Sequence, residues 1–343
     1  MKYRTLGKTG IKSSILGFGA MRLPTIDNNP EHVDINETEM MIEYAINHGV
    51  NIFDTAWVYH TTDRSKPGVS ETILGDILSR GFYDKVHIST KMPSWEIKSW
   101  EYFDTTLDKQ LERLKTDTID LFFVHSIKDS FYENIKEGGL YEFVDRAISD
   151  GRIKHVCFST HGSYELLNQI LDDYDKWECV LTQLNYLDET DNTGLRGVEK
   201  INKLGLGTII MEPLRGGKLA QKQPSTVQEI FKKSSKSYTP LEWAFNYLWD
   251  KKEVNCVLSG MSSLEQVKEN IKLVDKTEIG ILSDDDKKIL RQVKEEYDNL
   301  NHIKCTSCNY CMPCPHGVNI PKCFREYNMD LLGDETINSI QYK

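Results

Sequence analysis

Asn51-Ile52-Phe53-Asp54, then Ser70-Glu71-Thr72-Ile73-Leu74-Gly75-Asp76-Ile77-Leu78, then Val86-His87-Ile88-Ser89-Thr90 spell a β-rich run, an amphipathic helical pattern and a second β-rich run. Short apolar runs separated by stretches of helical period are the mark of βα units that feed a parallel sheet. The alternation continues in both directions. Strands are expected at 15–18, 51–54, 86–90, 120–124, 156–159, 181–184, 207–211 and 256–258. Helices are expected over 36–48, 70–78, 100–114, 141–150, 164–171, 194–203, 240–248 and 263–273. Eight such alternations within roughly 260 residues predict an α/β fold of the (β/α)8 TIM-barrel type. A doubly wound open sheet would carry a Gly-rich dinucleotide turn after its first strand, a pattern that Gly17-Phe18-Gly19-Ala20-Met21 does not complete.

The chain has 343 residues, 39% of them apolar and 27% charged, the composition of a folded globular protein. Its 42 Lys and Arg against 52 Asp and Glu leave a net charge of -10, the wrong sign for a phosphate-backbone binder, so nucleic acid is excluded as a partner class. The N-terminus reads directly into polar residues and no long apolar stretch follows, which predicts a cytoplasmic protein without a membrane span. Residues 282–300 read as an exposed closing helix with Ser283 as N-cap and acidic residues in its first turn. Composition changes at Cys305. Two domains are therefore expected, a barrel with its closing helix over 1–300 and a small cysteine-rich module over 301–343.

In a barrel, chemistry collects where strands end. The second strand runs into Asp54-Thr55-Ala56-Trp57-Val58-Tyr59, the third ends at Lys91, and the fourth ends at His125. Each residue has an ordinary structural role open to it, but together they form a chemical unit. A phenol is a weak acid at neutral pH, and a nearby ammonium favours its phenolate. Lys91 would tune Tyr59, Asp54 would hold Lys91 charged and oriented, and His125 would hydrogen-bond a substrate carbonyl. Trp57, Trp95 and Tyr132 are candidate apolar walls around that rim, with packing as the competing role.

With these residues in view, the chain resembles the aldo/keto reductase superfamily over about residues 1–280. The resemblance is carried by Arg4-Thr5-Leu6-Gly7, Leu16-Gly17-Phe18-Gly19, Asp54-x4-Tyr59, Gly68-x-Ser70-Glu71-x3-Gly75, Lys91 and Asp120-Leu121-x3-His125, in family order. It implies a catalytic tetrad of Asp54, Tyr59, Lys91 and His125, with Tyr59 as proton donor to an aldehyde or ketone that receives hydride from NAD(P)H. It also implies nicotinamide contacts from Ser159 and Gln183. Thr160 stands where the family usually has Asn, and Met211 where an aromatic often stacks on the ring. The segment Met211-Glu212-Pro213-Leu214-Arg215-Gly216-Gly217-Lys218-Leu219 is similar to a cofactor loop, which brings in Pro213, Leu214, Gly216 and Lys218. Ser259-Gly260-Met261-Ser262-Ser263-Leu264-Glu265-Gln266 through Asn270 resembles the adenosine-phosphate loop, with Gly260, Ser262, Gln266 and Asn270 as contacts. A plain Ser N-cap is the competing reading there. Gln266 occupies a position that often carries a base. NADP(H) is expected, with NAD(H) open.

Five of eight cysteines, Cys305, Cys308, Cys311, Cys314 and Cys323, crowd into the C-terminal segment, the first four as C-x2-C-x2-C-x2-C followed by Pro315. In a chain without an export signal this reads as metal ligation. The run is one residue shorter than the bacterial ferredoxin pattern and points to a ferredoxin-like [4Fe-4S] cluster. Cys314 and Cys323 both remain open as the fourth ligand, and a four-cysteine zinc site is the alternative. The rival functional reading is an electron-transfer component that passes electrons from nicotinamide through the cluster to a partner protein.

Overall fold

A three-residue strand, β1 (Tyr3–Thr5), pairs antiparallel with β2 (Lys12–Ser14) ahead of the first βα unit. There follow β3 (Leu16–Gly19), α1 (Ile35–Asn47), β4 (Ile52–Asp54), α2 (Ser70–Leu78), β5 (His87–Pro93), α3 (Trp100–Leu114) and β6 (Ile119–Ile127). Next come α4 (Tyr132–Glu137), α5 (Leu140–Ser149), β7 (Ile153–Thr160), α6 (Tyr164–Asp173), β8 (Cys179–Gln183), α7 (Gly194–Lys203) and β9 (Gly207–Met211). The chain ends through α8 (Ser225–Phe231), α9 (Pro240–Trp249), β10 (Cys256–Ser259), α10 (Leu264–Val274), α11 (Asp284–Asn299) and α12 (Ile320–Leu331). This computed structural model describes residues 1–27, 29–96, 99–300, 303–306 and 308–331.

Strands β3 to β10 close in sequence order into a barrel, β10 pairing in parallel with β3. The expected (β/α)8 fold is therefore the observed one. Local chemistry starts the helices: Asp34, Ser163 and Ser263 cap α1, α6 and α10, while Thr239 with Glu242 and Ser283 with Asp286 form capping boxes on α9 and α11. Strand β6 shows why its sequence is continuously apolar. Leu121 and Phe123 point into the barrel with Ile52, Cys157, Cys179, Leu181, Ile209, Cys256 and Leu258. Phe122 points outward, its ring 6.0 Å from Phe143 of α5, so both faces of the strand are covered.

Leu6 and Ile11, from the turn between β1 and β2, belong to the same interior cluster and stopper the barrel at the N-terminal ends of its strands. The fit leaves no room for side chains: a Cβ on Gly7 (φ +50) would lie 2.0 Å from the Gly207 amide nitrogen, and one on Gly207 would lie 2.7 Å from Leu6.

The chain divides into two compact units. The first comprises Met1–Leu184, Thr190–Met211 and Lys252–Thr277 and holds every barrel strand. The second comprises Asn185–Glu189, Glu212–Lys251 and the residues from Glu278 onward. This division runs across the boundary expected near residue 300. Within the second unit α11 packs on α8, the Tyr297 hydroxyl donates to Gln223, and Arg215 forms a buried ion pair with Asp188 at 3.5 Å.

Candidate active site

β4 and β5 run side by side with Asp54 opposite Ser89, and side chains two apart on a strand share a face. Ser89 and Lys91 therefore both reach Asp54: the Ser89 hydroxyl donates to Oδ1 at 2.7 Å and the Lys91 ammonium to Oδ2 at 2.5 Å. Lys91 has two further acceptors, the Thr55 carbonyl at 2.8 Å and the Tyr59 hydroxyl at 3.1 Å. Tyr59 lies on the turn after β4, its amide bonded to the Ala56 carbonyl, with its ring 4.6 Å from the Lys91 ammonium. His125 enters from β6 opposite Pro93, and its ring stands edge-on to Tyr59 at 6.1 Å and 5.2 Å from Trp95.

Asp54, Lys91 and His125 are buried, whereas Tyr59 is partly exposed. The phenol is thus the most accessible member of the set. Burial pushes the Asp54 carboxyl up, and the Lys91 ammonium and Ser89 pull it back. Burial, followed by the charges of Lys91, Arg64 and His161, holds His125 well below an ordinary imidazole, so its ring is neutral and keeps one N–H to donate. Burial also takes His161 down to about 4. Asp54 and Tyr59 from one strand end and loop, Lys91 from the next strand and His125 from the one after it lie together.

The expected cofactor residues of the first unit also fall at strand ends. Ser159 is the last residue but one of β7, where its hydroxyl accepts the Ser126 amide at 2.7 Å; Gln183 closes β8 and accepts from Asn192 at 3.1 Å. Met211 ends β9 and packs against the barrel interior. After β10, the Ser262 amide donates to the Gln266 side chain at 2.9 Å, and the Gln266 amide to Ser263 at 3.3 Å. The Leu264 amide donates to the Glu37 carboxylate at 2.8 Å, and Asn270 ties α10 to β10 through Ser259 at 2.9 Å. The geometry here is that of a capped helix start, with an acidic side chain at the position a phosphate would favour. Sequence reasoning missed Arg22, whose side chain lies along Gly260, a Cβ on which would be 3.2 Å from Arg22 Cδ. No spacing pattern connects residues so distant in number.

In the second unit the loop holding Pro213, Leu214, Gly216 and Lys218 turns on the Leu214 carbonyl, which accepts from Gly217 at 3.0 Å and Leu219 at 3.1 Å. Gly216 (φ +72) faces the chain itself, since a Cβ there would lie 2.3 Å from the Thr306 carbonyl oxygen. The Thr306 hydroxyl donates to Glu212 at 3.2 Å. Burial and then Arg215 pull the Lys218 ammonium down, while neighbouring Cys305 opposes them. The cysteine segment thus begins against this loop.

None of the eight cysteines is in a disulfide. Cys311 and Cys323 are exposed, Cys305, Cys308 and Cys314 partly so, and Cys157, Cys179 and Cys256 are buried in the barrel. Among the described residues, no three His, Cys, Asp or Glu side chains are gathered to hold a metal ion. Tyr132 is no rim wall: it is buried in α4, with its hydroxyl bonded to Tyr141 at 2.6 Å and Asp173 at 3.0 Å. Among the described residues, no helix is long and apolar enough to cross a membrane.

Comparison with known proteins places the chain in a family. A model of the "Aldo/keto reductase family" matches residues 15–295. L-galactose dehydrogenase of Arabidopsis thaliana is 26% identical over 300 residues, 81% of this chain and 89% of the relative. 6-Dehydroglucose reductase of Novosphingobium aromaticivorans is 28% identical over 233 residues, 64% of this chain and 71% of the relative. The holo form of aldo-keto reductase AKR11C1 from Bacillus halodurans superposes with a TM-score of 0.70 at 22% identity, covering 85% of this chain and 96% of that one, a likeness of fold.

Proposed function

The chain belongs to the aldo/keto reductase family, and on that premise we propose that Tyr59 is the proton donor of its reaction, with Lys91, Asp54 and His125 as its partners. The protein is an NAD(P)H-dependent oxidoreductase that moves hydride between nicotinamide and a small carbonyl or alcohol substrate. One observation carries the assignment: the Lys91 ammonium lies 3.1 Å from the Tyr59 hydroxyl and 2.5 Å from Asp54. In the reducing direction Tyr59 gives its hydroxyl proton to the substrate oxygen. The Lys91 ammonium stabilises the phenolate left behind, Asp54 keeps Lys91 charged in a buried place, and neutral His125 donates its N–H to the same substrate oxygen. The nicotinamide, when bound, supplies or accepts the hydride.

We infer NADP(H) as the nucleotide, against NAD(H). Ser159 and Gln183 would hold the carboxamide, with Met211 beside the ring. Gly260, Ser262, Gln266 and Asn270 would serve the adenosine-phosphate end, with Pro213, Leu214, Gly216 and Lys218 in the loop after β9. The polar groups at the C-terminal ends of β7 and β8 fit a carboxamide in donor and acceptor type. Arg22 beside Gly260 adds a cationic side chain to the turn from Ser259 to Ser263, which has none of its own. Comparing kcat/KM for NADPH and NADH decides between the nucleotides. Tyr59→Phe should lower turnover about 100- to 10,000-fold with nucleotide affinity kept; unchanged turnover rejects the assignment.

For residues 301–343 we propose a [4Fe-4S] module held by Cys305, Cys308, Cys311 and either Cys314 or Cys323. Its support is the donor chemistry, four thiols at three-residue spacing on one short loop with Cys323 nine residues further on. Anaerobic purification with iron and sulfide analysis tests it, and zinc without iron rejects it. Exposure of Cys311 and Cys323 favours an electron-transfer partner as the second reading. Cluster reduction by NAD(P)H during turnover would establish that reading.

A further inference from the structure

The carboxylate of Glu71 on α2 takes no part in the chemistry above, yet it is fully buried and each of its oxygens is engaged. Oε1 accepts from the Thr90 hydroxyl at 2.6 Å and from the Gln110 side-chain amide at 2.7 Å. The same Gln110 nitrogen lies 3.1 Å from Thr90 Oγ1 and 3.3 Å from the Lys91 carbonyl, so this oxygen grips the strand segment that carries Lys91. Oε2 accepts from Arg113 Nε at 2.9 Å, and Arg113 also donates to the Gly68 carbonyl.

Gly68 in turn is fastened to the loop that carries Tyr59. Its amide donates to the Trp57 carbonyl at 2.7 Å, and the Ser70 amide donates to the Tyr59 carbonyl at 3.3 Å. The contact is so close that a Cβ on Gly68 would lie 1.9 Å from the Tyr59 carbonyl oxygen. One oxygen of a single carboxylate is thus linked through Thr90 and Gln110 to the strand of the ammonium, and the other through Arg113 and Gly68 to the loop of the phenol.

Resting on the reading of Tyr59 and Lys91 given above, we propose that Glu71 is a positioning residue that fixes the separation between the Lys91 ammonium and the Tyr59 hydroxyl. It touches neither group directly and acts through Thr90 and Gln110 on one side and through Arg113 and Gly68 on the other. A purely structural ion pair with Arg113 would affect stability alone. A positioning role also affects how readily Tyr59 gives up its proton, because that depends on the distance to Lys91.

The test is Glu71→Gln in the full-length chain. Expected are a kcat for carbonyl reduction lowered about 10- to 100-fold, a KM for nucleotide within about threefold, and an alkaline limb of the reduction profile moved to higher pH. The titration of Tyr59, followed by ring-labelled tyrosine NMR and assigned with Tyr59→Phe, should move upward with it whether or not the substrate is known. Adding Arg113→Met to remove the orphaned guanidinium should restore thermal stability and leave the Tyr59 titration displaced. If Glu71→Gln alone does not fold, Gln110→Leu, which keeps the Glu71–Arg113 pair, should displace the titration in the same direction. A Tyr59 titration unchanged in every folded variant overturns the proposal. A wild-type chain that reduces no carbonyl with either nucleotide overturns the functional reading and leaves the titration result to decide this one.

Discussion

Asp54→Asn separates the charge of Asp54 from its shape. The amide replaces the carboxylate at the same size, and the Ser89 hydroxyl can still donate to its oxygen. The Lys91 ammonium, however, then faces an amide group where it had a carboxylate oxygen at 2.5 Å, in a site where it is 1% exposed. Two unit charges 2.5 Å apart in an effective dielectric of about 20 attract by roughly 6–7 kcal/mol. Desolvation offsets part of this, so breaking such a pair costs about 3–5 kcal/mol. At about 1.4 kcal/mol per unit, that penalty lowers the proton affinity of the variant's Lys91 by roughly two to three and a half units.

A buried ammonium without its counter-charge is harder to protonate in the folded chain than in the unfolded one. The unfolded state then binds more protons, and the variant's stability deficit shrinks as pH rises through the folded value. Urea midpoints of variant and parent at about pH 6 and about pH 9 measure this directly. Reduction should fall with rising pH, by roughly a hundredfold once the variant's Lys91 has become a neutral amine that no longer stabilises the phenolate. A deficit below about 1 kcal/mol that does not change with pH, together with parental turnover, would refute the pairing argument.

Two other perturbations test different parts of the molecule. Gly216→Ala places a methyl group 2.3 Å from the Thr306 carbonyl at a φ of +72, so the cysteine segment must shift; the loss is about 1–3 kcal/mol, and Cys305 and Cys308 should react faster with a disulfide reagent. Unchanged thiol kinetics would show that the segment does not rest on that glycine. His161, held down at about 4 by burial, takes its proton later than the unfolded chain does, so the stability present above its ordinary value of 6.5 is lost as pH falls from there towards 4. NMR should show its ring neutral throughout that upper range, and titration near 6.5 would contradict the burial argument.

The periodic parts of the fold were legible because each helix and strand states its period locally. The expected 70–78, 100–114, 194–203 and 207–211 coincide with α2, α3, α7 and β9. β5 and β6 run past their expected ends, to Pro93 and Ile127, because Lys91 and His125 lie within the strands. A charged residue reads as a terminus in sequence, whereas Asp54 neutralises this one and the ladder continues. β1, β2 and α4 are too short to show a period, and the apolar positions of α12 are embedded in a Cys- and Pro-rich stretch. That Asp54, Tyr59, Lys91 and His125 lie near one another was legible because Asp54, Lys91 and His125 stand at the ends of the apolar runs of neighbouring strands and Tyr59 follows the first of them closely. Arg22 against Gly260, Glu37 at the Leu264 amide and Thr306 over Gly216 were not, since barrel closure or tertiary folding creates those contacts between segments that share no pattern.

The stopper formed by Leu6 and Gly7 has a consequence for biosynthesis. It is synthesised some two hundred residues before Gly207, the surface it must seat against, and before β10, which pairs with β3 and emerges later still. Asn255 and the Val254 carbonyl, which grip the Thr5 carbonyl and Arg4, also lie near the end of the barrel. Every nascent intermediate shorter than this is an open ring with an unclaimed apolar plug, dependent on its surroundings to stay out of aggregates until the last strand arrives.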